Sequence, residues 1–218
     1  MPSNNRAVTR AGRPLRRRPG RRDERKTYLI CCEGENTETL YFKGLRRELR
    51  ASTIRIEVFS GRGEPYGVVE RAMAEAARAA ANADEYDEVW CVFDVEAPRA
   101  HSRLAPALAL AARHDIRCAI SNPCFEVYLL LHYEELTAYL TSSEASRRLE
   151  QHPCGYSLRG KQVDFEALRP GRAEAFSRAA RLDRRHLGKP VAARNPSTSV
   201  PGLVTALMSH NGPHFFIQ

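Results

Sequence analysis

Four times in succession an apolar, strand-like run is followed by a segment with helical spacing. The runs lie at residues 26–32, 54–59, 88–93 and 116–120. After the first, Leu40, Tyr41, Leu45 and Leu49 share one face of a helix over 37–50; Val68, Val69, Met73 and Ala76 do so over 64–82. Leu104, Leu108 and Ala111 repeat the spacing over 101–114, and residues 125–133 read as a buried helix. Antiparallel strands close through tight turns, whereas parallel strands need a crossover, usually a helix. The pattern therefore predicts an α/β fold with a roughly four-stranded parallel sheet between helices.

The rest of the chain is organised differently. Residues 134–218 show helical stretches near 137–151, 165–168, 173–186 and 199–209 and no clear strand, which predicts a helical C-terminal region packed on a core of residues 27–133. Residues 1–26 are rich in Arg, Pro and Gly, lack apolar periodicity and read as a disordered basic arm. Residues 1–27 hold ten basic groups and two acids, which accounts for the whole net charge of +8. The remaining 24 basic and 24 acidic residues cancel. The arm is thus either a solvating tail or a phosphate-tracking segment. A chain of 218 residues can bury a real core, hiding roughly 70% of its unfolded surface. No apolar run is long enough for a membrane span, and no apolar stretch follows the basic N-terminus as in a secretory signal, so a cytoplasmic protein is expected. The six cysteines lie mostly in apolar runs without a C-x-x-C pair and read as core thiols.

Ligands of open α/β sheets bind beyond the carboxyl ends of the strands. Glu33-Gly34 follows the first predicted strand, Gly61-Arg62-Gly63 the second, Asp94-Val95-Glu96 the third and Ser121-Asn122-Pro123 the fourth. Glu33, Asp94 and Glu96 are therefore expected on one rim. Crowded carboxylates raise one another's pKa values, and a hard divalent cation removes the conflict. The bland alternative is solvated loop charge. Gly34 permits a sharp turn and close approach to a ligand. Asn36 or Thr37 suits a helix cap, which leaves Glu35 and Glu38 structural or peripheral. Asn122-Pro123 also reads as cap and first turn, and Asn195-Pro196 repeats that logic. Glu126 lies in a strongly apolar helix at the same rim, and a buried carboxylate needs a partner or a metal. His101, His132 and His186 have no partner visible from spacing, and surface or cap roles are expected for them rather than ligation.

Glu33-Gly34 after one strand and Asp94-x-Glu96 after a later one resemble the Toprim domain. Longer strings are similar to the RloB-like family: Cys32-Glu-Gly-Glu-Asn-Thr-Glu with Tyr41-Phe42-Lys43, Val92-Phe-Asp-Val-Glu, Ser121-Asn-Pro-Cys-Phe-Glu-Val-Tyr-Leu-Leu-Leu-His and Asn195-Pro-Ser-Thr. That resemblance spans about residues 27–210, and it places the chain among bacterial proteins of restriction and abortive-infection loci. It implies a Toprim-like core, magnesium (or manganese) as cofactor, and roles for Glu33, Asp94 and Glu96 in phosphodiester cleavage. It also implies that Asn122, Phe125 and Glu126 matter. One departure is Glu96, where the Toprim pair usually ends in aspartate.

The leading expectation is a metal-dependent nuclease in anti-phage defence. Asp94 and Glu96 would hold the metal, and Glu33 would complete the shell or act as general base or acid. Gly34, Asn122 and Glu126 would meet the substrate, and the arm with Lys43, Arg46 and Arg62 would follow the phosphates. The partner would be nucleic acid, DNA or RNA, not a membrane. A second copy of the chain, or a protein from the same defence operon, is the further partner considered. The rival expectation is a non-catalytic nucleic-acid-binding or regulatory subunit on the same scaffold; a weaker third is a nucleotide phosphohydrolase.

Overall fold

The structure is a computed structural model that describes residues 26–51, 53–58 and 64–211. The arm expected over 1–26 lies outside these apart from Lys26, and so does Arg62 with its flanking glycines. The chain runs β1 (Tyr28–Cys32), α1 (Thr37–Leu49), β2 (Ile54–Val58), α2 (Pro65–Ala81), β3 (Glu88–Asp94), α3 (Leu104–Arg113), β4 (Arg117–Asn122) and α4 (Glu126–Leu130). It continues through α5 (Ser142–Leu149), α6 (Phe165–Leu168), α7 (Arg172–Arg185), β5 (Ser197–Thr198) and α8 (Val200–Asn211). Four strand–helix alternations are therefore present, as the periodicity predicts.

The sheet order is β2-β1-β3-β4-β5. β1 pairs in parallel with β2 and β3, and β3 with β4. After β2 the chain returns to the other side of β1, so the strand order reverses between β1 and β3. In a doubly wound sheet that reversal opens a crevice at the carboxyl ends. Successive residues of β1 serve two cores. Tyr28, Ile30 and Cys32 pack with Trp90 and Val92 under α1, α4 and the C-terminal helices. Leu29 and Cys31 pack with Cys91 and Phe93 under α2 and α3. All five β1 side chains are buried, as expected of a central strand covered on both faces. The six cysteines are free thiols; five are buried and Cys118 is half-buried.

The C-terminal region departs from the helical pattern in two places. Ser197–Thr198 adds a fifth strand, antiparallel to β4. Ser121 and Thr198 hydroxyls meet at 3.0 Å, and the Ser199 hydroxyl accepts the Ile120 N–H at 2.8 Å. Two polar residues carry no alternation, so a strand this short leaves no periodic trace. The helix expected from 137 begins only at Ser142. Thr141 and Glu144 form a capping box there, and the Leu140 backbone is held by Asn195 instead of by a helix. Asn122 and Asn195 are not helix caps. Asn122 ends β4 and donates from Nδ2 to the carbonyls of Val191 (3.1 Å) and Ala192 (3.3 Å).

Candidate active site at the carboxyl ends of β1 and β3

The crevice between β1 and β3 holds a pocket of about 350 Å³. Six carboxylates line it: Glu33, Glu35, Glu38, Asp94, Glu96 and Glu126; Asn36, Thr37 and Lys161 complete its polar wall. The acids arrive on different pieces of structure. Glu33 follows β1 directly, and its backbone N–H bonds to Val92 O at 3.0 Å, extending the pairing of β1 with β3. Asp94 is the last residue of β3, and Glu33 Oε2 accepts its backbone N–H at 3.2 Å. Glu96 follows the strand end. Its N–H bonds to Pro123 O at 2.8 Å and its Oε2 accepts the Ser142 hydroxyl at 2.8 Å. It stands at φ 70°, a left-handed conformation that non-glycine residues adopt at a cost. Glu126 opens α4 and accepts the Tyr156 hydroxyl at 2.7 Å.

Burial and crowding shift the acids together. Burial pushes Glu33 up to about 7, against the Asp94 N–H that favours its charge, with Glu38 and Glu96 adding to the rise. Glu38 is also pushed up to about 7, first by burial and then by Glu126. Asp94 is raised well above the usual carboxylate range, first by burial and then by Glu38, Glu126, Glu33 and Glu96. Asp94 Oδ1 is sealed from solvent and has no hydrogen-bond partner. A buried acceptor without a partner costs about 1–3 kcal/mol, so the fold keeps this oxygen available at a penalty.

Glu33, Gly34, Asp94, Glu96 and Glu126 are thus brought together, as the strand-end argument expects. Lys43 and Arg46 are exposed on α1 and do not line the pocket, and Asn122 points to the turn at 191–193. Neither Glu35 nor Glu38 stands outside the site: Glu35 lines the pocket from its exposed rim, and Glu38, 6% exposed, faces the acids. Gly34 is needed for room more than for a turn, because a Cβ there would collide with the Glu38 carboxylate. His101 has a partner after all. Its Nε2 lies 3.5 Å from Glu33 Oε1, buried and not aligned as a hydrogen bond. Lys161 and Tyr156 come from the C-terminal region; the family resemblance points to a tyrosine followed by a lysine there, but the spacing of Tyr156 and Lys161 looks longer than the family's, so the sequence assigns them no role. Glu38 did leave a signal: it lies in the first turn of the helix that leaves the Glu33-Gly34 turn.

Fold and pocket together define a mostly parallel α/β protein with a carboxylate-rich crevice at its switch point. The chain matches the family model described as RloB-like protein over residues 28–207, and it belongs to that family. Neither a curated protein nor a solved structure matches it. Among the described residues no helix is long and apolar enough to cross a membrane.

Proposed function

We propose that this chain is a divalent-metal-dependent, Toprim-type nuclease acting in anti-phage defence. The observation that carries the reading is the unpartnered, buried Asp94 Oδ1 within six carboxylates at the switch point. The donors are all hard oxygens, which suit magnesium or manganese. Among the described residues no three of His, Cys, Asp and Glu stand close enough to enclose an ion by themselves. A cation here would therefore be held by one or two carboxylates and completed by water and substrate oxygens. Asp94 and Glu96 would hold it.

When bound, the ion supplies charge to the scissile phosphoryl group and activates a water. The chain's own residues do the rest. Glu33 fixes the end of β3 through the Asp94 N–H and completes the shell or serves as base or acid. Tyr156 donates its hydroxyl to Glu126, and burial raises its pKa, so it stays protonated. That argues for water, not a tyrosine, as nucleophile. The bacterial defence setting rests on the family resemblance, and the nucleic-acid partner on phosphodiester chemistry and the basic arm.

A second reading, a non-catalytic nucleic-acid-binding or regulatory subunit, draws support from the absence of a three-residue metal cage among the described residues. The test is cleavage of plasmid, linear duplex, single-stranded DNA and RNA with magnesium, manganese or EDTA, beside Asp94→Asn. Metal-dependent cleavage that vanishes in Asp94→Asn is expected. The variant should keep or raise its Tm without metal, because an amide at this position cannot ionise against the neighbouring acids. Metal should raise the wild-type Tm only. At a hundredfold excess over Kd the gain is roughly 2.7 kcal/mol. Equal Tm responses in both proteins, with no cleavage, would favour the regulatory reading.

A further inference from the structure

The segment 152–164 joins α5 to α6 without a helix or strand of its own. Its ends are closed by Asp164 N–H to Cys154 O at 2.8 Å and by Leu158 N–H to Glu150 Oε1 at 3.1 Å. Two further bonds tie it to the acidic pocket. Tyr156 donates to Glu126, and Thr37 Oγ1 donates to Lys161 O at 3.1 Å. The Lys161 N–H bonds to Ser157 O at 2.7 Å. Both backbone polar groups of Lys161 are therefore committed, and the residue is held at φ 47°. A neighbouring glycine, Gly160, could take that conformation without the Cβ penalty, yet the left-handed position falls on the lysine.

Lys161 is the only cation among the described residues that lines the pocket. It stands exposed at the rim, and among the described residues its ammonium makes no ion pair. Burial disfavours its charge, but Glu126, Glu38 and Asp94 outweigh that and hold it above the ordinary lysine range. A permanent charge is thus fixed near the carboxylates without being consumed by any of them. A lysine that merely neutralised the acids would lie against one.

We infer that Lys161 is a substrate-contacting residue that binds a non-bridging phosphate oxygen of the nucleic-acid backbone, presented by a loop of the C-terminal region. The inference rests on the nuclease reading above. It gives the phosphate the attraction it needs to enter a pocket walled by six acids. It also assigns loop 152–164 to the active site.

The experiment is equilibrium binding of short fluorescent DNA and RNA oligonucleotides by full-length wild type, Lys161→Met, Lys161→Arg and Asp94→Asn. Calcium replaces magnesium, and the salt concentration is varied. Each phosphate contact contributes a slope of about −0.9 for duplex and −0.7 for single strands in log K against log salt. Lys161→Met should flatten the slope by about one contact and weaken binding roughly tenfold at low salt. Lys161→Arg should restore the slope. A structural lysine would lower Tm and leave the slope alone. An unchanged slope in Lys161→Met, with wild type binding and cutting in an Asp94-dependent manner, overturns this inference alone. Wild type that neither binds nor cuts any of these substrates overturns the nuclease reading and this inference with it.

Discussion

The imidazole of His132 is sealed in the face of the core that carries α1, α4 and α7. Its ring stands 4.9 Å from the Tyr128 ring and 6.4 Å from Tyr41, measured between centroids. Nδ1 donates to Tyr128 O at 3.0 Å, and Nε2 is buried without a partner. Burial pushes His132 down to about 4, and the Arg172 and Arg178 charges on α7 act in the same direction. In the unfolded chain the group titrates near 6.5. Between these values the unfolded state binds the extra proton, so acid favours unfolding. The contribution is complete above about 6.5 and is lost as pH falls towards 4, to a total of roughly 3 kcal/mol. The raised Glu33, Glu38 and Asp94 work oppositely, because the folded state holds their protons more tightly in acid. The test is therefore a difference: urea unfolding of wild type and His132→Gln from pH 7 to 4. Wild type should lose stability relative to the variant across that window. Parallel curves would show that the imidazole does not stay neutral. In sequence, His132 is one polar letter at the end of an apolar helix. Spacing alone favours a surface or cap role for it; the structure buries it instead, and its orphaned nitrogen depends on Tyr41 and α7, which come from distant parts of the chain. Glu38 was obscured for the same reason. Its position in the helix was readable, but which side of the turn faced the acids was not.

At the scale of elements, polar side chains substitute for missing regular structure. Asn195 Oδ1 accepts the Leu140 N–H at 2.9 Å, and its Nδ2 donates to Leu140 O at 2.8 Å. One amide thus imitates a strand partner and ties the approach to α5 to the approach to β5. The Asn122 amide does the same for the turn at 191–193. Asn195→Ala should leave both polar groups of a buried residue unmet and cost about 1–3 kcal/mol. Denaturant midpoints of the two proteins measure this. A loss confined to a few tenths would mean water replaces the amide. Asn195→Asp should recover only the accepting half. The strand–helix alternation was legible in the sequence because each element is long enough to show its period. The asparagine clamps and β5 were not, because one or two polar residues have no period and are defined by what lies opposite.

For the whole molecule, the instructive feature is where the core ends. The alternation suggests a boundary near residue 133, with helices added afterwards. The hydrophobic cluster does not stop there. Leu140, Leu149, Leu168, Leu182, Leu203 and Val204 are buried with Tyr28, Ile30 and Val92 of the central strands. The Arg172 guanidinium bonds Glu48 on α1, and the Tyr28 hydroxyl donates to Ala206 O at 3.2 Å. One face of the sheet is thus covered largely by residues after 133. Burying each large aliphatic side chain stabilises by about 1.5–3 kcal/mol. Half a dozen such groups equal the net stability of a typical domain, about 5–15 kcal/mol. A fragment of residues 26–133 should therefore fail to fold, although it contains β1 to β4 and all six pocket acids. It should lack near-UV circular dichroism and a cooperative urea transition. In the full chain, Trp90 fluorescence from β3 and far-UV ellipticity, dominated by helices, should give superimposable transitions. A fragment that unfolds cooperatively would make the later helices a separable addition. A single transition would tie them to the strands that hold Glu33 and Asp94, and with them the loop that brings Lys161 to the pocket.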